Sequence, residues 1–258
     1  MRVAGSPPLK IKVQESKDMA VIIYTGTPGS GKSYHATALV HRATKRKINV
    51  IANFVIDLPE EQKERFTYKP TANMTPAEFI RFHLENHEKD SKGRLAREGQ
   101  TIIMIDEASI LFNSREFNRK DRQDWVVFFS QHRKFGFDII LITQMDRSID
   151  RQIRGVIEYN HIHRKLTNFG LKGYVIKLLT GGKSFVCIKR WYLISGKDGI
   201  VGKEYFGIKK KVAATYDTFS MFSVAEESEN IKLPREDDNG FKKLQQAIEE
   251  KHHEETTA

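Results

Sequence analysis

Between an apolar run, AVIIYT (residues 20–25), and a stretch of helical period that starts at Tyr34 stands the octapeptide Gly26-Thr27-Pro28-Gly29-Ser30-Gly31-Lys32-Ser33. This is the pattern G-x-x-x-x-G-K-[ST], and its flanks are the ones that give it meaning: a strand that delivers the chain to a tight turn and a helix that leaves it. The glycines let the turn point its amides inward around a β-phosphate, and the helix start adds a positive dipole end. Lys32 brings charge to the β- and γ-phosphates, and the Ser33 hydroxyl is a magnesium ligand. The expected cofactor-binding set is therefore Gly26, Thr27, Pro28, Gly29, Ser30, Gly31, Lys32, Ser33 and Tyr34, for a P-loop NTPase that binds a magnesium-bound nucleotide.

A second element fits the first. TIIMIDEAS (101–109) is a β-branched apolar run that ends in Asp106 and Glu107, the form of a Walker B strand. In a parallel sheet the carboxyl ends of the strands converge on the ligand crevice. There Asp106 can hold magnesium through water, so Ser33 and Asp106 form the metal set, and Glu107 can polarise the attacking water. The next such run, DIILIT (138–143), delivers Gln144, either as a γ-phosphate sensor or as a plain loop cap. Hydrolysis also calls for positive charge on the transferred group. Arg133, Arg147, Arg151 and Arg154 are the candidates expected near the edge that carries Gln144, with Arg133 first. The catalytic set is thus Lys32, Glu107, Gln144 and Arg133.

The rest of the chain predicts the fold class. NVIANFVI (49–56) joins the three apolar runs as a fourth buried parallel strand, and helical patterns fill the gaps: YHATALVHRATKRK, TPAEFIRFHLENHEKD and DRQDWVVFFSQHRK. Thr75 before Pro76 and Glu78 reads as an N-cap. Trp125, Phe128 and Phe129 share a helix face and read as core. After residue 155 the runs VIEYNHIHRKL, YVIKLL and SFVCIKRWYLI, separated by Asn168 and several glycines, predict antiparallel strands that extend the sheet. The expected architecture is α/β: a mostly parallel central sheet flanked by helices, with an N-terminal extension over 1–18, the P-loop domain over 19–222, and an acidic linker with a short helix (Phe241, Leu244, Ala247, Ile248) over 223–258.

Charge and composition narrow the setting. The chain of 258 residues carries a net charge of +10, and residues 224–258 hold ten acids and five bases, so the body is more basic than the total. Such a surface attracts nucleic acid or an anionic membrane face, although scattered solvated lysines give the same sum. No run reaches the length of a membrane-spanning helix and the start lacks a signal core, so a cytoplasmic location is expected, at most against the inner face of the membrane. The single Cys187 reads as a buried strand thiol. His161 and His163 share a strand face that could suit a metal, but no acidic or Cys partner stands at ligand spacing, and an ordinary polar face is the favoured reading.

Four segments together, YTGTPGSGKSYHA, IIMIDEAS, SQHRKFGFDIILITQ and TYDT (215–218), resemble the zonula occludens toxin (Zot) family, which includes the assembly ATPases of filamentous phages. The resemblance covers roughly residues 20 to 219. It implies a P-loop domain related to the FtsK/HerA pumping ATPases, with ATP as the nucleotide and extrusion of single-stranded phage DNA as the work. It implies as partners further copies of the chain in a ring such as a hexamer, single-stranded DNA or phage nucleoprotein, and envelope or phage assembly proteins. Lys32 and Ser33 match the family's nucleotide loop, Asp106 and Glu107 its magnesium and catalytic acids, and Gln144 its sensor. Many members continue into a transmembrane helix, which this sequence lacks; it reads as a member that docks on a separate membrane protein, or as a shortened one. Two other readings stay open: a DNA-binding replication or packaging factor that uses ATP as a switch, and a membrane-face adaptor that docks through the basic stretch Lys189–Lys211.

Overall fold

The structure, a computed structural model, describes residues 20–115, 120–168, 178 and 184–216. The expected N-terminal extension, the strand YVIKLL apart from Leu178, the last two residues of TYDT, the acidic linker and the C-terminal helix lie outside the described residues.

The described chain runs β1 (Val21–Thr25), α1 (Lys32–Lys45), β2 (Asn49–Ala52), α2 (Glu60–Lys63), β3 (Phe66–Tyr68), α3 (Pro76–Asn86), β4 (Thr101–Ile105), α4 (Ala108–Leu111), α5 (Arg122–Gln131), β5 (Phe137–Ile142), α6 (Arg151–Gly155), β6 (Tyr159–Lys165), β7 (Ser184–Trp191), β8 (Ile200–Gly207) and α7 (Lys210–Ala213). All eight strands share one sheet in the order β3-β2-β4-β5-β1-β6-β7-β8. Every pairing from β3 to β6 is parallel, and only β6-β7 and β7-β8 are antiparallel. The antiparallel extension expected after residue 155 therefore starts one strand later, because β6 itself pairs in parallel with β1.

Why the apolar runs are continuous is visible in the two cores. Ile23, Ile103, Ile105, Ile139 and Leu141 face one side, where Phe79 and Ile80 of α3 and Trp125, Phe128 and Phe129 of α5 cover them. Tyr24, Ile102, Met104, Ile140 and Ile142 face the other, under Ala36, Val40 and Ala43 of α1. A strand buried on both faces has no solvent side on which to place a polar residue. Edge strand β8, by contrast, alternates between more and less exposed positions. The Thr75 hydroxyl accepts the Glu78 amide at 3.3 Å and caps α3, with Pro76 at its first position. The strand expected over 49–56 stops at Ala52, since Asn53 turns aside to a task described below, and Ile56 instead pairs with Tyr216 in an isolated bridge.

Candidate active site

The loop after β1 is shaped by glycine where nothing else fits. Gly26 has φ 145° and Gly31 φ 91°. A Cβ on Gly26 would meet the His163 carbonyl oxygen at 2.4 Å, and one on Gly31 would meet the Phe185 ring at 3.0 Å. The β6-β7-β8 wing thus forms the floor of the loop. Helix α1 then starts with Gly31 at its N-cap, no side-chain cap and no acid in its first turn, which leaves its positive end open to an anion. Thr27, Pro28 and Gly29 are exposed, whereas the Ser30 hydroxyl is buried and has no hydrogen-bond partner among the described residues. A polar atom so placed fits a phosphate oxygen. Lys32 Nζ donates to the carbonyls of Gly26 at 2.7 Å and Thr27 at 3.3 Å, folded over the loop that it is expected to serve. Burial pushes its ammonium pKa down, and the carboxylates of Glu107 and Asp106 pull it back up.

Strand order brings the acids to this edge. β5 lies between β1 and β4, so the loop after β1 and the acids after β4 stand about 10 Å apart across the sheet, with the end of β5 between them. Asp106 is 8% exposed. Burial raises its carboxyl pKa, while the Glu107 amide, which donates to Oδ1 at 2.8 Å, and the Lys32 charge oppose the rise. Glu107 adopts φ 45°, ψ 46°, a left-handed conformation that a non-glycine residue takes up at a cost. Gln144, two residues past the end of β5, is exposed, and its carbonyl accepts the Gly26 amide at 3.3 Å, which ties the expected sensor position to the loop.

Two residues here had no role in the sequence reading. Asn53 Oδ1 accepts the Asp106 amide at 2.7 Å and its Nδ2 donates to the Asp106 carbonyl at 2.9 Å, so the turn that carries the acids is pinned from β2. Tyr216 brings its hydroxyl to within 3.5 Å of Asp106 Oδ2. Burial raises the pKa of this hydroxyl and the Asp106 charge raises it further, with Ser33 acting in the other direction. The only advance signal was that Tyr216 belongs to TYDT. Tyr34 also departs from its expected place: its ring stacks on Phe206 and its hydroxyl accepts the Lys209 amide at 2.9 Å, so the side chain serves the wing.

The arginines need correction. Arg133 precedes β5 and therefore lies at the amino-terminal edge, roughly 15 Å across the sheet from the loop, where it donates to Glu158 Oε2 at 2.6 Å. It does not fall near Gln144. Around it the segment His132–Asp138, within SQHRKFGFDIILITQ, is a structural turn. His132 Nδ1 bonds the Phe129 carbonyl at 2.6 Å, Gly136 takes φ 75°, and Asp138 Oδ1 accepts the Ala20 amide at 3.1 Å to align β5 with β1. Arg147, exposed and three residues beyond Gln144, is the candidate at the loop edge. Arg151 and Arg154 lie on α6, which leads back toward the start of β6.

The family described as zonular occludens toxin (Zot) matches residues 20–218. Among curated relatives, the Gene 1 protein of Enterobacteria phage I2-2 is 29% identical over 170 residues, 64% of this chain and 46% of that protein. The Gene 1 protein of Enterobacteria phage f1 is 28% identical over 174 residues, 64% of this chain and 48% of that one. The chain spans about half the length of the curated relatives it matches. Among solved structures, the N-terminal domain of zonular occludens toxin from Neisseria meningitidis is 17% identical with a TM-score of 0.49, covering 78% of this chain and 100% of that one. Among the described residues no helix is long and apolar enough to cross a membrane.

Proposed function

The chain belongs to the Zot family, and we propose that within it this chain is an ATPase motor that couples hydrolysis of Mg-ATP to the export or movement of single-stranded phage DNA, as an oligomer. The observation that carries this reading is the placement of Asp106 and Glu107 at the carboxyl edge, across from Lys32, with Gln144 between them. A second acid beside the first, held in a strained backbone, supports hydrolysis over binding alone.

In this reading the amides of Gly26–Ser33 and the Lys32 ammonium hold the β- and γ-phosphates. Magnesium, held by Ser33 and through water by Asp106, neutralises phosphate charge. Glu107 accepts a proton from the attacking water while Gln144 orients it. An arginine from a neighbouring copy completes the charge; Arg147 is the better placed, and Arg133 could serve only across a subunit boundary. The basic body gives the DNA strand a path.

Steady turnover of ATP and GTP is to be measured with and without single-stranded DNA, alongside the mass in solution with nucleotide. The expected result is ATP hydrolysis that single-stranded DNA stimulates, by an oligomer. Nucleotide binding with no multiple turnover under any of these conditions would replace the motor with a nucleotide-dependent switch.

A further inference from the structure

Behind the nucleotide loop lies a second set of chemistry-bearing residues that hydrolysis does not use. His163 of β6 pairs across the sheet with Cys187 of β7, and Cys187 with Glu204 of β8, so one row of three strands carries an imidazole, a thiol and a carboxylate side by side. His35, in the first turn of α1, closes over the row. The ligand atoms of His35, His163 and Cys187 all lie within 4.8 Å of one another. The three residues are 4%, 1% and 0% exposed.

With both rings neutral, the protons of this cluster do not balance. His163 Nδ1 lies 2.9 Å from the His161 carbonyl, which can only accept, so that nitrogen carries the ring proton and Nε2 is a bare lone pair. His35 Nδ1 is 2.8 Å from this Nε2 and must donate to it. A neutral His35 then turns its other lone pair, on Nε2, toward Oε1 of the Glu204 carboxylate at 3.6 Å, while Lys189 Nζ holds Oε2 at 3.0 Å. The arrangement therefore needs an extra proton on a buried ring or sets a lone pair against a carboxylate. A cation in place of the proton between the rings resolves it: both inner nitrogens become donors to the ion, and both outer N–H groups point at acceptors, Glu204 for His35 and the His161 carbonyl for His163. Outer partners of this kind, a carboxylate and a backbone carbonyl, are those that orient metal-bound histidines.

We propose that His35 Nδ1, His163 Nε2 and Cys187 Sγ bind a thiophilic transition-metal ion of the zinc class, with Glu204 as the outer carboxylate that orients His35. Zinc bonds to nitrogen and sulfur of roughly 2.0–2.3 Å set ligand atoms about 3.5 Å apart, so the contact between the rings opens slightly and the wider separations close. Imidazole and thiolate are a donor set for zinc rather than for magnesium, which keeps this site chemically separate from the nucleotide site. The ion would staple the first turn of α1 to the wing on which Gly26 and Gly31 rest. The proposal does not depend on what the nucleotide is used for.

Cobalt(II) is the probe. The 258-residue chain, stripped with a chelator, is titrated with Co2+ and followed by absorbance. The expected result is a thiolate-to-cobalt charge-transfer band that saturates at one ion per chain and is displaced by Zn2+ but not by Mg2+. Cys187→Ser abolishes the band, Glu204→Gln weakens binding roughly 10- to 100-fold, and His83→Gln, at a histidine pair elsewhere, leaves it intact. X-ray absorption on the cobalt-loaded wild-type chain needs no variant and is expected to show sulfur together with imidazole nitrogen in the first shell. A folded wild-type chain with no band, a band that survives in folded Cys187→Ser, or a first shell of oxygen and nitrogen alone overturns the site.

Discussion

The parallel part of the sheet, β1 to β5, and the wing, β6 to β8, treat buried polar groups differently, and the contrast locates the chemistry. In the parallel part a buried histidine pair is held by its own structure. His83 and His87 face each other through their Nδ1 atoms at 3.1 Å, while His87 also meets the Phe135 carbonyl at 2.7 Å and the Thr101 hydroxyl at 2.6 Å. No thiol joins them. In the wing, His163 meets His35 with Cys187 beside them and Glu204 behind. The first pair is mortar between α3 and β4; the second is a donor set. The acids proposed for hydrolysis, Asp106 and Glu107, meanwhile stand where a parallel strand ends, because there the strand termini converge on the loop. In the proposed reading the parallel part acts on the nucleotide, and the wing backs the loop that would hold it.

That division of labour can be broken in order of effect. Lys32→Ala removes the phosphate charge and is expected to abolish nucleotide binding and turnover, measured by calorimetry and phosphate release; a fully active variant would remove the site altogether. Glu107→Gln is expected to keep binding and lower turnover by roughly 100-fold or more, since a positioned proton acceptor contributes about 10²–10⁴-fold. Unchanged turnover would show that Glu107 is not the base.

Acid separates the histidine pair from the surface. Burial holds His83 and His87 down to about 4, from an ordinary 6.5. Between these values the unfolded chain binds more protons than the folded one, so the stabilisation is present above 6.5 and is lost as pH falls. From about pH 7 to about pH 5 the expected loss is about 2 kcal/mol per histidine, read by denaturant unfolding. His87→Gln should remove much of this slope, and a slope that persists undiminished would place the titration elsewhere.

Smaller effects test the wing. Phe206 stacks on His35 at 4.8 Å and lies 3.3 Å from a Cβ built on Gly31, so Phe206→Ala should loosen the loop floor. The expectation is nucleotide affinity weakened by about 1–2 kcal/mol, with turnover at saturation nearly unchanged. A fall in saturated turnover with affinity intact would give the wing a chemical role instead. Thr75→Ala, far from both, costs about 1 kcal/mol of stability through the lost cap and should leave nucleotide affinity alone.

Local pattern made the nucleotide half legible. Gly26–Ser33 announces itself because its fixed positions, Gly26, Gly31, Lys32 and Ser33, are the residue types a phosphate turn needs, and the runs ending at Thr25, Asp106 and Thr143 are continuous because strands buried on two faces have no polar side. Thr75 was readable as a cap for the same local reason. Sequence position misled for Arg133: it is near Gln144 along the chain, but a strand lies between them, and crossing a strand means crossing the sheet. Asn53 gave no usable signal and Tyr216 only its place in TYDT, because each acts on Asp106 across more than fifty residues.

What the chain determines by itself is whatever a few adjacent residues fix through backbone geometry and period: the phosphate turn, the buried strands, the helix start at Thr75, and membership of the family. Tertiary structure alone decided which strands are neighbours, and so that β5 separates the loop from its acids, that Arg133 faces the far edge, and that His35, His163 and Cys187 meet. Pairing order and register depend on how whole elements cover one another's apolar faces, a sum over distant residues that no short segment contains.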